Sequence, residues 1–220
     1  GPVWPTKGVI AVTCNYRLGP MGYLCLPELE KEAGHTGNYG MFDQITALQW
    51  VKNNIEAFGG NPENITLMGQ SAGAMSVQQH CLSPLSDGLF HKAVMSSGSG
   101  VHKMLSTGSP EKRYDFWHAV MDRCQCKSLD EFRAIPAETL FVAWNVVKKE
   151  LKGGGMSCSP VIDGKLIVGT GVDLLAEGKQ KHIPYMNGAP HIGHAMDYCL
   201  ADVFARYSKA KGNEVRLQAG

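Results

Sequence analysis

The chain lacks an excess of charge of either sign. Its 21 lysines and arginines stand against 20 aspartates and glutamates, a formal net charge of +1. That removes the overall footprint of a nucleic-acid binder or of a protein that docks on anionic membranes. No apolar run approaches the length of a membrane span. No internal repeat or low-complexity tract interrupts the sequence, and the residues after Gly1 do not read as a secretory leader. No CxxC pair occurs. The seven cysteines are an odd number, and Cys124-Gln125-Cys126 has the wrong spacing for a redox pair or a zinc knuckle. Cys14, Cys25 and Cys81 sit among apolar neighbours and read as small core residues. Neither a disulfide framework nor a metal centre is expected, and no cofactor is implied. What remains is an ordinary globular composition, 44% hydrophobic and 19% charged, favouring a soluble, cytoplasmic protein with one sizeable core.

The hydrophobic pattern alternates strand and helix over residues 9–96. The β-branched run Val9-Ile10-Ala11-Val12-Thr13 reads as a buried parallel strand, followed by a loop over residues 15–27. Met41, Ile45, Leu48, Val51, Ile55 and Phe58 form one helical stripe, closed by Gly59-Gly60. Residues 65–68 and 92–96 read as further strands, with a helix over 72–81 between them. Such alternation predicts an α/β protein: a mostly parallel sheet with helices on both faces. Residues 101–155 turn helical, with Tyr114, Trp117, Val120 and Met121 on one stripe and Leu140, Trp144 and Val147 on another. Trp50, Trp117 and Trp144 are expected in cores or along a substrate wall. Val161-Ile162-Asp163-Gly164 reads as a turn after a short strand, with Asp163 as the turn aspartate. A short helix over 172–177, a strand over 182–186, a long helix over 193–211 and a final strand over 214–218 complete the reading.

Gly69-Gln70-Ser71-Ala72-Gly73 carries the most chemistry. It stands between a strand-like and a helix-like run, the setting of a nucleophile elbow. A sharp strand-to-helix turn lifts a serine hydroxyl clear of the sheet and sets it at a helix N-terminus. There the backbone N–H groups and the helix dipole favour a developing oxyanion. Ser71 is the candidate nucleophile and the Ala72 N–H a candidate oxyanion donor. Gly69 and Gly73 are expected to leave space at the turn. His80 and His91 follow the elbow but read as helix-borne structural histidines, and Asp163 and Asp197 are weak candidates for an acid.

Around the elbow runs a series of further motifs: Asn15-Tyr16-Arg17-Leu18-Gly19-Pro20-Met21-Gly22-Tyr23, Gly37-Asn38-Tyr39-Gly40-Met41-Phe42-Asp43-Gln44, Ala47-Leu48-Gln49-Trp50-Val51, Asn54-Ile55, Phe58-Gly59-Gly60-Asn61-Pro62, Ser97-Gly98 and Pro160-Val161-Ile162-Asp163-Gly164. In this order they resemble the type-B carboxylesterase (cholinesterase-like) family of the α/β-hydrolase fold, over residues 1–186. The resemblance implies a partial α/β-hydrolase domain in which Ser71 takes the acyl group of a small carboxylic ester. It also implies a glycine-rich oxyanion segment ahead of residue 1 and a catalytic histidine beyond residue 220. The acid of the family would fall at Gly193. Ser71 is therefore expected without a recognisable base or orienting acid, and the chain alone is expected to hydrolyse esters feebly or not at all.

From Pro184 the sequence changes character. Pro184-Tyr185-Met186-Asn187-Gly188-Ala189-Pro190-His191-Ile192-Gly193-His194 resembles the first signature of class I aminoacyl-tRNA synthetases, methionyl-tRNA synthetase in particular. His191 and His194 are three apart at a helix start, where a triphosphate can bind, and the resemblance makes them nucleotide-binding candidates. Residues 187–220 thus read as a short βαβ-like extension, joined to the hydrolase part near residues 183–185. Arg206, Lys209, Lys211 and Arg216 read as the solvated basic end of its helix rather than an RNA contact.

Overall fold

The computed structural model describes residues 4–98, 108–151, 157–179 and 185–188. Among these residues the sheet has three strands, β1 (Thr66–Gln70), β2 (Lys92–Ser96) and β3 (Tyr185–Gly188), in the order β1-β2-β3. Both pairings are parallel, with Met68 opposite Val94 and Val94 opposite Met186. The parallel sheet expected from the alternating pattern is present. The helices are α1 (Gly19–Tyr23), α2 (Pro27–Ala33), α3 (Tyr39–Asn54), α4 (Ala72–Leu82), α5 (Tyr114–Arg123), α6 (Leu129–Ala134), α7 (Ala137–Glu150) and α8 (Gly171–Ala176). The long helix and final strand expected after residue 193 lie outside the described residues, as do His191, His194, Asp197 and the basic cluster from Arg206 to Arg216.

The crossover from β1 to β2 that a parallel pair requires is built by α4. Ala74, Val77 and Cys81 of α4 pack on Ala93 and Met95 of β2, with Phe90 and, from α3, Leu48. Strand β2 alternates, Ala93 and Met95 buried between half-buried or exposed neighbours, as one covered face demands. The opposite face of β1 shows Met68 at 58% exposure.

Residues 9–18, read in part as a buried strand, form no strand. Val9, Ile10 and Val12 are 45–48% exposed, and Cys14 is exposed rather than a core residue. A β-branched run favours extended backbone but becomes a strand only when a neighbour completes its ladder. Among the described residues none does so here. The loop expected over residues 15–27 carries a helix instead, α1, and α2 begins at its end, each started by a proline in its first turn.

Two of the sequence motifs turn out to be halves of one joint. A Cβ on Gly22 or on Gly40 would stand 2.3 or 2.2 Å from the Arg17 carbonyl oxygen, so α1 and α3 close on that carbonyl only as glycines. The Arg17 side chain returns to α3: Nε donates to Asp43 Oδ2 at 2.9 Å and Nη2 to Oδ1 at 2.8 Å, a bidentate fork. This fork holds the Asp43 carboxyl below its ordinary range. Asn38, buried at a left-handed φ of 59°, clamps residue 161 from both sides. Its Nδ2 donates to the Val161 carbonyl at 2.7 Å, and its Oδ1 accepts from the Val161 N–H at 2.9 Å. Asp163 is a turn aspartate, as read: Oδ1 accepts the N–H groups of Lys165, Leu166 and Ile167 at 3.1, 2.9 and 2.9 Å.

The helical excursion shares a second core with α2 and the segment at Val161. Trp117 and Val120 are fully buried with Cys25, Leu26, Phe132, Ala143, Val147 and Val161. Trp144 lies at its edge, donating from Nε1 to Ser157 Oγ at 3.0 Å under the Lys148 ammonium. Trp50 departs from expectation: it is 49% exposed and leans on Phe58, itself 62% exposed, with ring centroids 5.8 Å apart. The buried Trp117 Nε1 has no acceptor among the described residues. Trp117→Phe deletes that donor while keeping most of the ring packing. Its urea unfolding free energy is expected to stay within about 1 kcal/mol of wild type. A loss far beyond that and beyond what the smaller ring's cavity costs would mean the indole N–H has a partner.

Candidate active site

Ser71 sits between the end of β1 and the start of α4, as the strand-turn-helix reading requires. Its backbone is at φ 53°, ψ −119°, a region that glycine visits and other residues avoid. Such a conformation costs about 1–3 kcal/mol and persists only where the surroundings enforce it. The enforcing contacts are visible. The Ser71 N–H donates to the Ser96 carbonyl of β2 at 2.9 Å, and its carbonyl accepts from the Met75 N–H at 3.1 Å, opening the helix. Behind the turn, a Cβ on Gly98 would lie 2.2 Å from the Ser71 carbonyl oxygen. A Cβ on Gly69 would lie 2.3 Å from the Gly73 carbonyl. Ser71 and Ala72 are both exposed at the first turn of α4.

One expectation about the elbow fails. Gly73 needs no empty space for itself, since a Cβ there would meet nothing within 4 Å. The crowding at that end belongs to the Gly73 backbone, and it is Gly69 that must yield. The cradle at Ser96 and Gly98 carries the turn from the far side. The Ser97-Gly98 motif was its only trace in the sequence, and Ser97, like Ser71, holds a positive φ, 54°.

The histidines near the elbow are committed elsewhere. His80 is fully buried; its Nε2 meets Gln44 Oε1 at 2.8 Å and its Nδ1 meets Ser86 Oγ at 3.0 Å. Burial alone pushes its pKa down to about 4, so it is neutral at ordinary pH. His91 Nδ1 accepts the Ile65 N–H at 3.2 Å, and its Nε2 lies 3.4 Å from Glu63 Oε2. Asp163 is spent on its own turn. Among the described residues no group of three or more His, Cys, Asp or Glu side chains could hold a metal ion.

A strained serine at a strand-to-helix turn, braced by glycines, can be set beside known proteins. The model of the carboxylesterase family matches residues 4–214. The chain belongs to the carboxylesterase family. Within it, this carboxylesterase-family chain is 34% identical over 199 residues to an acetylcholinesterase of Leptinotarsa decemlineata, covering 84% of this chain and 31% of that protein. To a para-nitrobenzyl esterase of Bacillus subtilis (strain 168) it is 34% identical over 192 residues, covering 82% and 36%. Among solved structures, a thermophilic pNB esterase superposes with a TM-score of 0.70 at 33% identity, covering 80% of this chain and 36% of that one. The fold is therefore that of the α/β-hydrolase carboxylesterases. The chain spans about a third of the length of these curated relatives. The family match runs through residue 214, across the join placed near residues 183–185.

The strain at Ser71 has a measurable consequence in this carboxylesterase-family chain. Ser71→Gly relieves the positive φ, whereas Ser71→Ala keeps it. Ser71→Gly is expected to be more stable than Ser71→Ala by about 1 kcal/mol in thermal melts, reversing the usual order of the two residues in folded proteins. Equal stabilities would mean that the turn is unstrained.

Proposed function

We propose that this chain carries the nucleophile of a serine carboxylesterase and that Ser71 is that nucleophile. The hydroxyl oxygen bonds to the acyl carbon of a small carboxylic ester, and its proton leaves to a base. Collapse of the adduct releases the alcohol, and water then frees the acid. The Ala72 N–H, at the first turn of α4, supports the oxyanion. The strained backbone of Ser71, with Gly69 and Gly98 closed on it, is the observation that carries this reading. Membership of the carboxylesterase family supports it.

Acting alone, the chain is a poor catalyst on this reading. His80 and His91 are engaged away from the hydroxyl, so neither serves as its base. A serine hydrolase stripped of one triad member still retains about 10³–10⁴ over the reaction in water through its oxyanion hole and binding, and the expected activity is that at most, or none. His191 and His194 lie outside the described residues and have no part in the proposal.

A fluorophosphonate probe with mass spectrometry tests both statements. Slow, incomplete labelling is expected on Ser71, with none in Ser71→Ala. Labelling of another residue instead would overturn the nucleophile assignment. Fast stoichiometric labelling of Ser71 would overturn the claim that the chain acting alone is a poor catalyst.

A further inference from the structure

Running beneath the elbow is a line of polar side chains, and each is committed in one direction. Ser76 Oγ donates to the Ala72 carbonyl at 3.2 Å. Gln44 Nε2, from α3, donates to Ser76 Oγ at 3.5 Å. That leaves Gln44 Oε1 to accept, so His80 Nε2, 2.8 Å away, must carry the hydrogen. His80 Nδ1 is then an acceptor, and Ser86 Oγ, 3.0 Å away, is its donor. His80 and Ser86 are buried to 1% and 2% exposure, and Gln44 to 9%. Every donor points toward the residue that follows Ser71. Chains of this polarity strengthen one another in a low-dielectric interior, and leaving one member unpaired is costly.

We infer that His80 and Gln44 are positioning residues for Ser71: they hold the first turn of α4, and with it the elbow, through Ser76 and Ala72. This rests on the reading of Ser71 as nucleophile. The relay explains why His80 is buried yet polar on α4, at a place where an apolar surface would pack as well. It also gives Gln44, the last residue of a sequence motif, a task that its position on α3 alone does not.

The test uses the whole chain and two readouts: amide hydrogen exchange at Met75, whose N–H bonds the Ser71 carbonyl, and the rate of fluorophosphonate labelling at Ser71. His80→Asn reaches Ser86 but not Gln44, whereas His80→Gln reaches Gln44. With stability matched by denaturant, His80→Asn and Gln44→Leu are expected to speed exchange at Met75 and slow labelling, each about tenfold, the equivalent of one buried hydrogen bond. His80→Gln is expected to restore both. Should the buried variants fail to fold, Ser76→Ala decides the matter at a half-buried site. Alanine is the better helix former, so a merely structural role slows exchange at Met75, whereas a broken relay speeds it. Unchanged or slower exchange in Ser76→Ala, or in all the variants, overturns the relay whatever the probe does. Relay-dependent exchange with no probe on wild-type Ser71 supports the relay and sinks the nucleophile reading instead.

Discussion

Gly98→Ala is expected to destabilise the protein by about 4 kcal/mol, and Gly73→Ala to leave it as stable as before or more so. Both glycines belong to the same turn, and both substitutions add one methyl group. At Gly98 that methyl would stand 2.2 Å from the Ser71 carbonyl oxygen, 2.8 Å from its carbon and 3.0 Å from its Cα. All three are backbone atoms, tied on one side to β2 through the Ser71–Ser96 hydrogen bond and on the other to α4 through Met75. No side chain can swing aside, so the strand end or the helix start must move. At Gly73 the methyl would meet nothing within 4 Å, and the residue lies inside α4, where alanine exceeds glycine by about 1 kcal/mol. Urea denaturation of the two variants against wild type measures the difference. For a chain of this size about 4 kcal/mol lowers the melting temperature by about 8–16 °C. A Gly98→Ala protein of native stability would mean that the elbow is looser than its geometry shows, and the strain ascribed to Ser71 would go with it.

That contrast also marks where the sequence was readable. Gly69 and Gly98 sit in short motifs because backbone approaches backbone there, and only one residue type permits it. The same holds for Gly22 and Gly40 around the Arg17 carbonyl. Constraints of this kind act on single residues and leave a local signature. The elbow was legible for that reason, as were β2 and α4, whose patterns meet a partner inside the described residues; the motifs holding Arg17 and Asp43 were visible, but their joint was not. Residues 9–14 show the converse. Their β-branched run is more strand-like than β2, which has Val94 alone, yet no ladder forms among the described residues, because strand formation is a property of two segments and a propensity belongs to one. Gly73 fits the short motif while a Cβ there has room, so agreement with a pattern does not by itself name the clash that maintains it. The Ser86–His80–Gln44–Ser76 line was not legible at all. Its members span residues 44 to 86 on three elements, and a lone histidine on a helix gives no sign of which buried groups it will meet.

His80 gives the second large effect, a loss of stability in mild acid. Its imidazole is fully buried, with a glutamine oxygen and a serine hydroxyl as its partners, so a proton added to Nδ1 breaks the bond from Ser86 and places a charge in the core. Burial accordingly lowers its pKa from the ordinary 6.5 to about 4. In the unfolded chain the ring takes up its proton near 6.5; in the folded protein it resists until about 4. Between those values the unfolded state binds more protons, so stability falls as the pH falls. The contribution is fully present above about 6.5, declines through the interval, and is gone once the pH passes below about 4. At about 1.4 kcal/mol per tenfold change, the loss attributable to this one group reaches about 3 kcal/mol. His35, also lowered by burial, adds in the same direction, whereas Asp43, held down by Arg17, gives up its share only below its ordinary 3.8. His80→Gln separates these terms, since it keeps the bond to Gln44 and cannot titrate. Urea midpoints measured from pH 7.5 down to 4.5 are expected to drop steeply in wild type and much less in His80→Gln. Parallel curves for the two proteins would show that His80 is not the group that senses acid, and that its ring lies in wetter surroundings than the packing of α3 against α4 implies.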